Sequence, residues 1–144
     1  MTNNTLYVFC GIPGSGKTTA SQKLILNIDA KLYCFDDIPG SRDPTKALIL
    51  KDEMYSKIRS DLIVGHNIIL DDLHTKKIWR QKLLEVVEHI PCKKILIVLS
   101  TPLDECLCRN KQRQNSLPDL VVKVLSKKYE EPTLDEGWDE IIWR

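Results

Sequence analysis

Residues 11–18 read Gly11-Ile12-Pro13-Gly14-Ser15-Gly16-Lys17-Thr18 and are followed by Thr19, a G-x-x-x-x-G-K-T pattern. Phosphate chemistry accounts for each position. Glycines let backbone N–H groups turn inward around phosphate oxygens, and a helix starting at Lys17-Thr18 would aim its positive end at the same point. Lys17 then reaches the β- and γ-phosphates of a nucleoside triphosphate, and the Thr18 hydroxyl ligates Mg²⁺. The context separates such a loop from coincidence. An apolar run, Leu6–Cys10, precedes it and a helical pattern, Thr18–Asn27, follows. ATP and Mg²⁺ are the expected cofactors.

Two acidic pairs, Asp36-Asp37 and Asp71-Asp72, each close a short apolar run. In an open parallel sheet, ligands gather outside the carboxyl ends of the strands, which puts both pairs on the side of the phosphate loop. One pair can hold the metal's water shell while the other orients an attacking hydroxyl and accepts its proton. If the third strand neighbours the first, Asp72 serves the metal with Thr18. Asp36, one strand further out, then faces the acceptor, with Asp37 and Asp71 lining the same space. Turn formation and helix capping are the plainer uses of such aspartates.

Arg109 and Arg113 are four residues apart with Lys111 between them. Like charges at this spacing on a helix repel by a few tenths of a kcal/mol, a cost that a bound polyphosphate would reverse. Two guanidinium forks there would stabilise charge on a transferring phosphoryl group. His74 follows Asp72 closely enough to line an acceptor pocket, and Arg80 lies on a basic helix start with Lys76, Lys77 and Lys82. Both are expected on the substrate side. The three tryptophans, Trp79, Trp138 and Trp143, read as packing residues rather than as stacking platforms.

These side chains need a scaffold, and short apolar runs alternating with longer periodic ones predict βαβ units. Strands are expected at Leu6–Cys10, Lys31–Phe35, Asn67–Leu70, Lys94–Leu99 and Ile141–Trp143. A helix should open at Asp43-Pro44 and end at Gly65. Another should span Thr75–His89, with Ile78, Leu83, Val86, Val87 and Ile90 available for its buried side. Thr101–Asp104 resembles a capping box opening the next helix, and Ser116–Asp119 opens a last one. The predicted architecture is one domain over 1–144 of the α/β class. It is a P-loop NTPase three-layer α/β/α fold of about five mostly parallel strands, with flanking helices and an arginine-bearing lid near 109–118.

The bulk numbers agree with an ordinary globular chain of 144 residues, 42% hydrophobic and 28% charged, with a net charge of +1. Between Pro102 and Lys128 six Lys/Arg face three Asp/Glu, whereas Tyr129–Arg144 has one against six. A solvated surface explains so modest an excess. The five cysteines are odd in number and include no C-x-x-C pair, which argues against a disulfide framework or a structural zinc site. Cys10 and Cys34 read as small buried hydrophobes. The polar start, Met1 to Asn4, does not have the shape of a signal peptide. The longest aliphatic run, Ile95–Leu99, is too short to cross a bilayer. A cytoplasmic or nuclear setting is expected.

Taken together, G-x-P-G-S-G-K-T-T, Asp36-Asp37, Ile68-Ile69-Leu70-Asp71-Asp72 and C-x-C-R-N-x-x-R ending at Arg113 resemble the polynucleotide-kinase-like P-loop kinases. Within that group the chain is most similar to the kinase domain of L-seryl-tRNA(Sec) kinase. Three stretches carry the likeness: Tyr33–Ile38, Thr101–Arg113, and Leu117-Pro118 leading to Glu130-Glu131-Pro132. Arg80 falls where that family has an arginine in an Asp-Asp-x₇-Arg pattern. The resemblance implies an acceptor-side aspartate at Asp36, a lid carrying Arg109 and Arg113, and phosphorylation of a hydroxyl on RNA or aminoacyl-tRNA. The C-terminal domain that grips tRNA in that family is expected to be missing from a chain of this length. Two other readings fit the same residues: an ATPase switch acting with a tRNA or protein partner, and a kinase of a small metabolite.

Overall fold

The computed structural model describes residues 4–144, so the expectation for Met1, Thr2 and Asn3 lies outside the described residues. Five strands, β1 (Thr5–Cys10), β2 (Lys31–Cys34), β3 (Ile68–Asp71), β4 (Lys93–Val98) and β5 (Glu140–Trp143), form one sheet in the order β2-β3-β1-β4-β5. Every ladder is parallel. β3 therefore neighbours β1, the arrangement on which the placing of the two acidic pairs depended. The helices are α1 (Lys17–Ile25), α2 (Ala47–Ile63), α3 (Lys77–Val86), α4 (Leu103–Gln112) and α5 (Asp119–Lys127). None of them is long and apolar enough to cross a membrane.

Alternation along the strands builds two apolar layers. Leu6, Val8, Cys10, Ile68, Leu70, Leu96 and Val98 face one side and pack with Met54, Tyr55, Ile58 and Leu62 of α2 and with Leu83 and Val87 at α3. Phe9, Ile69, Ile95 and Ile97 face the other side, where Ala20, Leu24 and Ile25 of α1 meet them. A third, smaller cluster of Ile12, Cys106 and Val122 ties the α4–α5 pair to the loop after β1. The register pairs Cys10 with Val98 and Cys34 with Asp71. The carboxyl ends of four strands thus open onto one edge.

Three local expectations are corrected. The second helix begins at Ala47, not at Asp43-Pro44, because the Asp43 carboxylate accepts from the Thr45 N–H (2.9 Å) and hydroxyl (2.7 Å) and closes a turn of its own. Its end is as expected, with Gly65 at φ 97° just beyond the Val64 cap. Thr101 does not cap α4. That helix starts after Pro102 without a side-chain cap, and the Thr101 hydroxyl donates instead to the Ser15 carbonyl at 2.7 Å. Ile78 is 67% exposed, and the buried side of α3 is taken by Arg80 and Leu83.

Candidate active site

The loop after β1 turns back on itself at two left-handed glycines, Gly14 (φ 84°) and Gly16 (φ 99°), and Gly16 is the N-cap of α1. Only glycine adopts such angles without strain. Space forbids a side chain at Gly14 as well, since a Cβ there would lie 2.2 Å from the Cys106 carbonyl oxygen. The loop and α4 are therefore in backbone contact. Lys17 is buried, and its ammonium donates to the Gly11 carbonyl at 2.8 Å and the Ile12 carbonyl at 3.0 Å. Burial pulls its pKa below the usual lysine range, against the opposing pull of Asp71 and Asp72.

In the first turn of α1 the Thr18 hydroxyl donates to Asp71 Oδ2 at 3.0 Å, and one turn on the Ser21 hydroxyl approaches the same oxygen at 3.3 Å. Asp71 is 4% exposed, and burial raises its pKa. A carboxylate held by two hydroxyls beside a phosphate loop suits a divalent cation, which replaces O–H donors as its counter-charge. The donor set fits a hard oxygen-seeking ion such as Mg²⁺ that brings phosphate and water ligands of its own. Among the described residues no cluster of three or more His, Cys, Asp or Glu side chains converges to hold a metal alone.

Asp72, the expected metal partner of Thr18, sits elsewhere. Its Oδ1 accepts from the Leu73 N–H at 2.8 Å and its Oδ2 pairs with the Lys51 ammonium. Against the cost of burial, His74, Lys51 and the Leu73 N–H hold its pKa below the usual carboxylate range. The physical reason is the strand's alternation. Asp71, last in β3, turns toward α1, and Asp72 turns toward α2. Lys51 also lies 4.0 Å over the ring of Phe35 and so links Asp72 to the short turn carrying Asp36 and Asp37. Sequence reading missed Lys51, because a lone lysine in a mixed helix gives no signal.

Asp36 stands across the opening. Its carboxylate is half-exposed and lies 3.8 Å from the Arg113 guanidinium. Arg109 reaches the Ser15 carbonyl at 3.3 Å and Glu105 at 2.6 Å. The lid expected at 109–118 comprises the last turn of α4 and the loop before α5. Asn110, wholly buried, staples that loop by donating to the Leu117 carbonyl at 2.7 Å and accepting from its N–H at 3.1 Å. A cleft of about 1460 Å³ brings together the residues from Pro13 to Thr19, Asp36, Asp37, Lys51, Asp71, Asp72, His74, Arg109 and Arg113.

Arg80 does not join them. It is fully buried, its fork gripping Glu136 at 2.9 and 3.0 Å and its remaining nitrogen donating to the His74 carbonyl at 2.9 Å. Its place is structural rather than on the substrate side. His74 does line the cleft wall, but as a buried side chain at φ 48°, with Nδ1 3.3 Å from the Phe9 carbonyl and Nε2 3.4 Å from the Tyr55 hydroxyl.

Burial drives the His74 pKa down to about 4. The unfolded chain, with an ordinary histidine near 6.5, then binds the proton more readily between those two values. Stability from this residue is complete above about pH 6.5 and drains away as the pH falls toward 4. Urea unfolding is expected to show a loss of about 2 kcal/mol between pH 7.5 and pH 5 from this group. His74→Asn, which tolerates a positive φ, should flatten that interval. An identical pH profile for the two proteins would acquit His74.

Comparison with known proteins agrees with this architecture. A Kti12 from Chaetomium thermophilum, solved in complex with ADP-AlF3, superposes with a TM-score of 0.73 at 18% identity, covering 96% of this chain and 88% of that one. Protein kti12 of Schizosaccharomyces pombe is 25% identical over 93% of the chain. L-seryl-tRNA(Sec) kinase of Methanococcus maripaludis is 26% identical over 93%. The chain spans about half the length of these curated relatives, 54% and 56%. The likeness to L-seryl-tRNA(Sec) kinase read from the motifs is thus present in the whole alignment. The family whose pattern matches, described as chromatin associated protein KTI12, takes in residues 5–142. With residues 5–142 of its 144 inside that match, the chain belongs to the KTI12 family.

Proposed function

We propose that this chain is an ATP-dependent phosphotransferase that moves the γ-phosphate to an acceptor hydroxyl on RNA or an aminoacyl-tRNA. One observation carries the reading: the phosphate loop, Thr18 and Asp71 line the same cleft as Asp36, and Arg113 stands 3.8 Å from the Asp36 carboxylate. The loop amides and Lys17 hold the β- and γ-phosphates. Arg109 and Arg113 stabilise the charge that spreads over the γ-phosphoryl oxygens. Asp36 orients the acceptor hydroxyl and takes its proton as the new ester bond forms and the bond to ADP breaks. Thr18 and Asp71, rather than Asp72, are the residues that would hold Mg²⁺, which neutralises phosphate charge when bound. The relatives support this reading, one being a kinase of an aminoacyl-tRNA and another a Kti12 solved with ADP-AlF3.

A second reading keeps the same site and makes water the acceptor, so that the chain works as a nucleotide-driven switch. The family match favours it, since its description is of a chromatin-associated protein rather than a kinase. The test is transfer from γ-labelled ATP with Mg²⁺, offering total cellular RNA, a 5′-hydroxyl oligonucleotide and a small-metabolite extract separately. Label is expected on an RNA acceptor, and Lys17→Ala should reduce it by about 10²-fold or more. Label released only as inorganic phosphate would replace the kinase reading with the switch. Label on the metabolite extract alone would move the acceptor to a small molecule.

A further inference from the structure

The cleft extends past Asp36 and Asp72 to a wall made by α3, and the phosphate chemistry uses none of that wall. Trp79 and Lys82 line it, and Trp79 is 36% exposed although it stands next in sequence to the fully buried Arg80. At the mouth of the helix the Lys76 ammonium lies 5.1 Å from the centre of the Trp79 ring. Lys76, the N-cap residue of α3, and Lys82 each stand three residues from Trp79, so the order along the chain is cation, aromatic, cation. This tryptophan lies outside the apolar layers: it belongs to neither of the two clusters that pack the sheet, nor to the third under α4. Lys82 is lightly held: it pairs with Asp52 at 3.1 Å, both side chains well exposed. Such a pair contributes little, and an arriving phosphate displaces it readily.

The geometry points to an acceptor-side platform for single-stranded nucleic acid, on which one base stacks on Trp79 and the flanking phosphates meet Lys76 and Lys82. A base offers a π-face to any indole, and backbone phosphates follow a basic stripe without regard to sequence. Trp79 and Lys82 line the same cleft as Asp36, with Lys76 beside the Trp79 ring, so a strand lying on them brings a terminal hydroxyl toward that carboxylate. This role is additional to the packing role expected for Trp79. The inference rests on the phosphotransfer reading and narrows its acceptor to a strand end rather than a small metabolite.

Fluorescence anisotropy of a 3′-labelled, 5′-hydroxyl hexauridylate with the whole chain tests it without ATP. Trp79→Leu is expected to weaken binding about tenfold or more, and Trp79→Phe to recover most of that loss. Lys76→Gln combined with Lys82→Gln should lower the slope of log K against log salt by about 1.4, for two phosphates on a single strand. Thermal unfolding of each variant confirms that the fold is intact. No binding by the unaltered chain, or equal binding by the Trp79→Leu and double-lysine variants, overturns the platform. Labelled-ATP transfer to the same oligonucleotide separates the two ideas. Transfer with an unchanged KM in Trp79→Leu removes the platform and leaves the phosphotransfer reading standing. Binding that depends on Trp79, with no transfer to any acceptor, supports the platform and removes the kinase.

Discussion

Arg80→Ala is expected to destabilise the fold by about 3–5 kcal/mol, the largest single-residue effect outside the apolar layers. The guanidinium and the Glu136 carboxylate are 0% and 1% exposed, so removing one leaves the other charged in a site with no water to answer it. The same carboxylate accepts from the Trp138 indole N–H at 3.1 Å, and the same arginine holds the His74 carbonyl at 2.9 Å. Losing the fork therefore frees the segment before β5 and the loop after β3 together. Arg80→Lys should rescue little, because a single ammonium cannot make the two-pronged contact and the third bond at once. Arg80→Met with Glu136→Met is expected to be milder than either single change, since no charge is left buried. Urea unfolding at constant m-value measures each of these variants. A loss under about 1 kcal/mol in Arg80→Ala would mean that water reaches the pair.

Asp36→Asn is expected to keep nucleotide binding and to lower phosphoryl transfer by about 10²- to 10⁴-fold, the range of a lost general base. The expectation comes from position. Asp36 faces the lid's Arg113 at 3.8 Å from the far side of the cleft, while Asp71 and Asp72 are already bonded to Thr18 and Lys51. It is the aspartate with a half-exposed carboxylate and an arginine opposite it. Fold stability should hardly change, because an exposed pair at that distance is worth little. Single-turnover transfer from labelled ATP, with nucleotide affinity measured separately, reads the split. Undiminished transfer in Asp36→Asn would remove this residue from the mechanism.

The strands and the phosphate loop were legible because each rests on a local rule. A short apolar run shows in Leu6–Cys10, and the glycines found left-handed at 14 and 16 show in the motif itself. What escaped was settled by partners distant in sequence. The choice between Asp71 and Asp72 depends on which of them turns toward α1, and nothing within the dipeptide reveals it. Arg80 looked like a cleft residue because it stands among Lys76, Lys77 and Lys82. Its true partner, Glu136, is 56 residues away and arrives only when β5 joins the sheet. Lys51 is a similar case, since its meaning comes from Asp72 and Phe35 and not from its own helix. Thr101 had the spacing of a cap, but the Ser15 carbonyl took its hydroxyl first.

The two bonds from Lys17 to the Gly11 and Ile12 carbonyls, at 2.8 and 3.0 Å, bear on turnover as well as on binding. A phosphate that enters the loop wins this ammonium by exchange, giving up two existing bonds for its own, so part of the attraction is spent before any affinity appears. The reverse also holds. When product leaves, the same carbonyls receive the lysine, and no buried charge is stranded while the nucleotide departs. A loop built in this way favours rapid exchange of nucleotide over tight retention.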